Sequence, residues 1–210
     1  MGNRRRMMGL KDRPVMNGVY IEATNGKLFT YNKWTGNLTP NSVVVIQNEV
    51  RFRIALTQSS DTLKIHSSYS GALENYMTAI RDTEKAKLDM KSAENTANIM
   101  KVQSSINYAA GYCKNFTFPD GKTKGLLPAL GWLWTAYDNK AAVDACLAAC
   151  RAKAMGTSYY HWSSTYWGIG VESQGSNYYP HVWILNWPDG YVYRHGIADW
   201  YWVRPFAEYV

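Results

Sequence analysis

The sequence predicts an α+β fold with strands at both ends of the chain and helices between them. β-branched and aromatic runs broken by turn residues occupy residues 17–65, apolar residues at helical spacing occupy residues 72–155, and a Tyr- and Trp-rich tail occupies residues 159–205. A hydrophobic content of 46% supports a sizeable core. The 210 residues therefore suit one domain with a small additional segment.

The first 15 residues are rich in Arg and Lys and have no apolar run after them. A secretory signal peptide requires such a run, so we expect residues 1–15 to form a disordered basic arm. No apolar run in the chain approaches the roughly 18 residues that a membrane-spanning helix needs. We therefore expect no membrane insertion.

An N-terminal β segment is predicted over residues 16–70, either as an attachment module or as part of the main fold. Asn25-Gly26 between two β-like runs predicts a hairpin. Arg51 and Arg53 alternate with apolar residues, which is typical of a half-buried strand. KLFTYNKW, residues 27–34, is a further predicted strand.

The middle of the chain is predicted to be helical. Apolar residues recur at helical spacing over residues 72–100, and a second helix is expected from residue 104 or 105 to about residue 113. Two further helical segments meet at Asp138-Asn139. Cys146 and Cys150 share a helix face; two small buried residues are favoured there over a disulfide or a metal pair.

The C-terminal tail returns to strand patterns. Residues 182–187 are almost continuously apolar and predict a buried strand. Pro188-Asp189-Gly190 predicts a turn into a second strand at residues 191–193. Residues 200–206 predict a third strand.

The composition of the tail points to binding. Residues 159–205 contain six of the nine Trp and eight of the 16 Tyr, but no Lys. Tyr and Trp mixed with Ser, Gly, Asn and His are typical of recognition surfaces, because each ring gives a large contact area and keeps a polar tip. The net charge of +7 arises outside this stretch, so nucleic acid is not an expected partner.

Short motifs at the end of the chain form an ordered set, and they are Trp162-Ser163-Ser164-Thr165, Val182-Trp183 with Leu185-Asn186, Asp189-Gly190, and Trp202-Val203-Arg204-Pro205-Phe206. With these motifs the chain resembles the C-type-lectin-fold variable proteins of diversity-generating retroelements, which include the phage major tropism determinant and relatives in Bacteroides and their prophages. The resemblance covers about residues 17–207. Trp132 departs from it, since relatives often carry Glu there, and so does the ending after Arg204-Pro205.

The resemblance implies a C-type lectin-like domain over residues 71–210, with mixed or antiparallel sheets, flanking helices and a variable region at about residues 159–205. In this family, selected codons are rewritten while the scaffold stays fixed. The implied ligand-binding positions are Tyr166, Trp167, Tyr178, Tyr179, His181, Tyr191, Tyr193, His195, Asp199 and Tyr201. The implied fixed scaffold is Trp162, Ser163, Trp183, Leu185, Gly190, Val203 and Arg204. The alternation of Tyr191, Tyr193 and His195 independently predicts that they share one face of a strand.

The resemblance also implies a function without catalysis or cofactor. The expected partner is a bacterial cell-surface protein or glycan, and the expected location is a phage tail within the virion or a cell surface. Contacts with other phage tail proteins and a homotrimeric assembly are further expectations.

Alternative interpretations remain open for these residues. The aromatic rings can be ordinary cross-strand pairs of a half-buried sheet. Asp189 and Asp199 can bind calcium, although a turn role for Asp189 beside Gly190 is the plainer interpretation. His161, His181 and His195 lack metal-ligand spacing.

Two other functional classes also remain. A carbohydrate-binding lectin of fixed specificity is one alternative. A formylglycine-generating-enzyme-like oxidoreductase is disfavoured, since that chemistry depends on Cys residues late in the chain and the last one here is Cys150.

Overall fold

The computed structural model describes residues 16–69, 72–157, 159–171 and 178–210, so the predicted arm at residues 1–15 lies outside the described residues. The fold is α+β, as predicted, and its sheets are antiparallel. The strands are β1 (Gly18–Ala23), β2 (Leu28–Phe29), β3 (Pro40–Gln47), β4 (Val50–Ala55), β5 (Tyr160–Val171), β6 (Tyr178–Asn186), β7 (Val192–Gly196) and β8 (Phe206–Glu208). The helices are α1 (Thr83–Ala86), α2 (Ser92–Val102), α3 (Ala109–Asn115), α4 (Leu130–Asp138) and α5 (Lys140–Ala149). Among the described residues, no helix is long and apolar enough to cross a membrane.

The first sheet has the strand order β2-β1-β3-β4-β8. The hairpin predicted at Asn25-Gly26 joins β1 to β2, but β2 covers only two residues of the predicted strand, and a short 3₁₀ turn follows at Tyr31–Lys33. In β4, Phe52 and Ile54 are buried while Arg51 is exposed, which confirms the predicted alternation.

The N-terminal strands share this sheet with the end of the chain, because β8 pairs with β4. A buried carboxylate reinforces the sheet. Glu22 Oε2 accepts hydrogen bonds from Arg53 Nε at 2.8 Å, Ser42 at 2.7 Å and Asn41 at 2.8 Å. Burial raises the pKa of Glu22, but the hydrogen bonds from Arg53, Ser42 and Asn41 outweigh it, so the pKa lies below its ordinary value.

The second sheet has the order β5-β6-β7, and apolar clusters pack against both of its faces. One cluster lies between the two sheets and helices α4 and α5, and it includes Trp183, Leu185 and Trp187. The other cluster combines Trp162 and Ile184 with side chains from α2 and α3. Strands β5 and β6 therefore lie in the protein core.

The predicted helical stretch at residues 72–100 is wrong in its first part. Only the short helix α1 and a 3₁₀ turn at Leu73–Asn75 precede α2. The physical reason is tertiary: Ile80 N donates to Tyr166 O, and Ile80 O accepts from Trp183 Nε1 at 2.7 Å. These groups bond to the second sheet, so they cannot join a helical ladder.

The other predicted helices are present, although α3 begins later than expected, at Ala109. The two segments that meet at Asp138-Asn139 are α4 and α5. Their adjacent ends share Asn139, whose side chain donates to Gln47 and to the backbone of Thr135.

The predicted strand at residues 200–206 is also wrong. Tyr201 and Trp202 form isolated bridges to Leu63 and His161, and the regular strand β8 begins only at Phe206. The segment bonds to different neighbours in turn, and Pro205 has no N–H with which to continue a ladder.

Arg204 has the scaffold role that was expected. Its side chain is 2% exposed and donates to the carbonyls of Ala55, Leu56 and Lys153 and to the side chain of Gln58. Burial lowers its pKa to about 10.

Candidate ligand-binding surface

Strand β7 lies at the edge of the second sheet and enters it through a tight turn. Asp189 accepts hydrogen bonds from Tyr191 N at 2.9 Å and from the Asn186 side chain at 2.7 Å, which confirms its turn role. Gly190 has a φ of +77°, and an added Cβ would lie 2.5 Å from Tyr137. The turn therefore holds β7 in register against the core helices.

Rows of paired residues run across the sheet and end at β7. Trp162, Ile184 and Tyr193 form one such row on a single face. Trp162 and Ile184 are buried, whereas Tyr193 is 41% exposed. Tyr191 is 64% exposed, and its ring centroid lies 6.1 Å from that of Tyr193. The same side of the sheet is thus covered by the core at β5 and β6 but exposed to solvent at β7.

A continuous series of ring contacts leads from Tyr193 around the end of β7. Tyr160 lies between Tyr193 and Tyr201, with centroid distances of 6.1 Å and 5.6 Å. Tyr201 Oη lies 2.8 Å from His195 Nδ1, and Asp199 Oδ2 lies 3.3 Å from the same nitrogen. Polar tips and ring faces alternate along this series.

Asp199 connects this series to a residue far away in the chain. Its Oδ1 accepts a hydrogen bond of 2.6 Å from Tyr69 Oη. Burial raises the pKa of Asp199, but hydrogen bonds from His195 and Tyr69 outweigh it and hold the pKa below its ordinary value. Asp199 is thus engaged with His195 and Tyr69 as a charged acceptor.

The contacts continue onto the opposite face of the sheet. Tyr69 and Tyr179 have ring centroids 4.3 Å apart, and Tyr179 stacks on His181 at 4.9 Å. Trp167 contacts His181 edge-on at 5.6 Å. The glycine at position 196 permits this approach, because a Cβ there would lie 2.6 Å from the Tyr69 ring and 2.7 Å from the Tyr179 ring.

We call this set the aromatic arc. It curves around the edge strand from one face of the sheet to the other. Its members are Tyr191, Tyr193, Tyr160, Tyr201, His195, Asp199, Tyr69, Tyr179, His181 and Trp167.

The structure brings together all the predicted binding residues except Tyr166 and Tyr178. Tyr178 is 76% exposed at the start of β6, outside the arc. Tyr166 is only 2% exposed and packs in the core, where burial first and the charge of Glu74 second raise its pKa to about 12. The prediction that Tyr166 is exposed is therefore wrong.

The prediction of an exposed side chain is also wrong for His181, which is 1% exposed. It lies on the central strand opposite Gly168 and Gly196, so rings from Trp167 and Tyr179 cover it. Its Nδ1 donates to Tyr179 O at 2.9 Å. His181 is therefore the buried member of the arc, on which Trp167 and Tyr179 pack.

Sequence reasoning missed several members of this region. Tyr160 continues the tail's aromatic pattern and could have been found from it. Tyr69 is separated from Asp199 by 130 positions, and nothing in its local sequence indicates the contact. Arg194 is not among the predicted binding residues, although its place between Tyr193 and His195 puts it on the opposite face of β7.

The described residues do not form a reactive thiol or metal centre. No group of three or more His, Cys, Asp or Glu in the described ranges is arranged to hold a metal ion. Burial raises the pKa of Cys113 well above its ordinary value, that of Cys146 to about 12 and that of Cys150 to about 11. These thiols therefore stay protonated near neutral pH, whereas nucleophilic thiols need a lowered pKa.

Comparison of the chain with protein-family models, with curated proteins and with solved structures found no match.

Proposed function

We propose that this protein is a non-enzymatic receptor-binding protein that grips a bacterial surface molecule with the aromatic arc. The observation that carries the proposal is the row that ends in Tyr193. The same sheet face buries Trp162 and Ile184 but leaves Tyr193 and Tyr191 in solvent. A protein gains nothing in stability from exposed rings, whereas a binding surface uses them for contact area.

The arc is suited to binding because it is rigid before a ligand arrives. Tyr201, His195, Asp199 and Tyr69 fix one another by hydrogen bonds, so little side-chain entropy remains to be lost on binding. Its outermost rings are held by ring contacts alone and keep their hydroxyls available. Aromatic rings on a rigid, hydrogen-bonded support, with hydroxyls available to a ligand, are typical of binding surfaces rich in Tyr.

The proposed scaffold is a C-type lectin-like domain of the variable-protein family, with the variable region at residues 159–205. Support comes from the division between motif residues and displayed residues. Trp162, Trp183 and Arg204 are buried, while most implied variable positions lie on the arc around an edge strand. Substitution there would leave the core packing largely unchanged, as a diversified protein requires.

On this proposal the protein belongs to a phage tail or a cell surface, and its gene has a characteristic neighbourhood. A near-copy of the codons for residues 160–205, with adenines at the mismatched positions, is expected beside a reverse transcriptase gene. Absence of that arrangement would favour a lectin of fixed specificity.

The direct test removes two exposed rings together. We expect Tyr191→Ser with Tyr193→Ser to abolish binding of the labelled full-length protein to a panel of bacterial strains, measured by flow cytometry. The matched control is Tyr31→Ser with Tyr76→Ser, which removes two rings of 52% and 45% exposure away from the arc. Unchanged binding of the arc variant would overturn the proposal.

A second arm of this experiment concerns calcium. We expect a chelator to leave binding unchanged, because Asp189 is used in the turn and Asp199 accepts from Tyr69 and lies beside His195. Loss of binding on chelation, restored by added calcium, would replace the aromatic mechanism with a calcium-dependent lectin.

A further inference from the structure

Two arginines share a single tryptophan at the end of the aromatic arc. The guanidinium carbon of Arg194 lies 4.0 Å from the Trp167 ring centroid, and that of Arg81 lies 5.1 Å from it. Both arginines are exposed, and Trp167 is half-buried. Cation–π contacts thus hold two positive charges against the same indole ring.

The hydrogen-bonding capacity of these guanidinium groups is almost unused. Within the described residues, no carboxylate lies within salt-bridge distance of either group, and the guanidinium group of Arg194 makes no hydrogen bond. Arg81 donates once, to Ile169 O at 3.3 Å. Each guanidinium carries five N–H donors, so most of them face solvent.

The backbone beneath the pair leaves room for both side chains. A Cβ at Gly170 would lie 2.7 Å from the Trp167 ring and 3.0 Å from Arg194 Nη1. A Cβ at Gly168 would lie 3.2 Å from Arg81 Nε, and its φ of +127° disfavours other residues as well. Two glycines of β5 therefore stand at the points where the two arginines cross the strand.

Among the described acidic residues, none forms a salt bridge with Arg81 or Arg194. Asp199, on the far side of Tyr179 and Tyr69, accepts from Tyr69 and lies beside His195. Glu74 acts on the Tyr166 hydroxyl together with Arg81 but makes no salt bridge with that arginine. Two like charges that contact one ring disfavour each other, and a bound anion offsets that effect.

We propose that Arg81, Trp167 and Arg194 form an anion subsite that binds the carboxylate or phosphate groups of an acidic bacterial polysaccharide. This inference rests on the proposed function and specifies the ligand for one end of the arc. The planar fork of arginine matches both oxyanions in a bidentate geometry. Trp167 and Tyr179 lie on either side of the buried His181, and Tyr69 continues the row of rings, which suits an extended polymer with repeated charges.

The test measures binding of the full-length protein to defined polymers by calorimetry. The probes are polygalacturonate for carboxylate, a glycerol-phosphate teichoic acid for phosphate, neutral dextran, and poly-glutamate as an acidic polypeptide. We expect one or both acidic polysaccharides to bind, and Arg81→Gln with Arg194→Gln to weaken that binding about tenfold or more. Polygalacturonate alone would identify carboxylate as the ligand group, and teichoic acid alone would identify phosphate.

Matched variants separate this subsite from general charge and from folding. Arg51→Gln removes an exposed arginine from β4 in the other sheet and is expected to leave affinity within about twofold. Arg194→Lys keeps the charge but loses the fork, and we expect an intermediate affinity. Melting temperatures of all variants should match that of the parent protein.

Three outcomes would overturn the inference: binding of dextran alone, tightest binding of poly-glutamate, or equal affinity of the double arginine variant and Arg51→Gln. The proposed function fails separately. If Tyr191→Ser with Tyr193→Ser abolishes cell binding while the arginine variants keep it, only the anion subsite is wrong. If neither pair affects cell binding, both proposals are wrong.

Discussion

Trp162 and Tyr193 lie on the same face of one sheet, with Ile184 between them, yet they have opposite environments. Trp162 is 1% exposed and donates from its indole nitrogen to Leu63 O at 2.7 Å. Tyr193, on the edge strand, is 41% exposed. The difference arises because α2, α3 and the side chains of Leu63, Ile65 and Leu73 cover β5 and β6. An aromatic residue is therefore scaffold or surface according to what packs over its strand.

The largest effect is expected when the buried ring of Trp162 is removed. We expect Trp162→Ala to lower the free energy of unfolding by about 3–5 kcal/mol, because the cavity cannot close within a packed core. Tyr193→Ala, in the same row, should cost about 1 kcal/mol or less. Denaturant unfolding measures both, and equal losses would show that the row is packed uniformly.

The next effect concerns the buried guanidinium of Arg204 and the exposed one of Arg194. Arg204→Met should cost about 3 kcal/mol, because the carbonyls of Ala55, Leu56 and Lys153 lose their donor inside the protein. Arg194→Met should change stability by about 0.5 kcal/mol or less. Thermal unfolding would contradict this contrast if the two variants melted together.

A smaller effect is expected at the turn that enters β7. Gly190→Ala combines a φ of +77° with a clash against Tyr137, and we expect a loss of about 2 kcal/mol. Gly121 has a similar φ of +75° but open space around it, so Gly121→Ala should cost about 1 kcal/mol. Equal unfolding free energies for the two variants would mean that Tyr137 moves aside without cost.

The smallest contrast is between two carboxylates with lowered pKa values. A pKa lower in the folded than in the unfolded state stabilises the protein above the ordinary pKa, and the contribution is lost as the pH falls. Glu22 and Asp199 should thus both lose their contribution below the ordinary values of 4.5 and 3.8.

The two contributions should differ in size. We expect the larger loss for Glu22, which is bonded to Arg53, and the smaller loss for Asp199, whose side chain is 26% exposed and therefore screened by solvent. Unfolding between pH 7 and pH 3 measures this, and Glu22→Gln should flatten the pH profile more than Asp199→Asn. If Asp199→Asn flattened the pH profile more than Glu22→Gln, this ranking of the two carboxylates would be wrong.

Local chemistry made several elements predictable. Asn25-Gly26 and Asp189-Gly190 specify their turns through backbone conformations that few other residues adopt. Helix α5, which follows Asn139, is rich in Ala and other helix-forming residues. In each case the signal and the structure lie within a few positions of each other.

The predictions were wrong where backbone groups form hydrogen bonds with residues far away in the sequence. Residues 72–82 have helical spacing, yet Ile80 bonds to β5 and to Trp183. Residues 200–205 have strand-like composition, yet they bridge to Leu63 and to His161 in turn. Tertiary hydrogen bonds outweigh a local preference, because intrinsic propensities amount to less than about 1 kcal/mol per residue.

The amino-acid sequence by itself determined the α+β class, the turns around β7 and the concentration of Tyr and Trp in the tail. The tertiary structure alone decided which of those rings are displayed. Tyr166 and His181 belong to the same Tyr- and His-rich tail as Tyr193 and His195, but the first pair lies on the covered strands β5 and β6 and the second on the more open strand β7. Burial depends on elements from other parts of the chain, such as α2 and residue Tyr69, and a strand's own pattern does not contain that information.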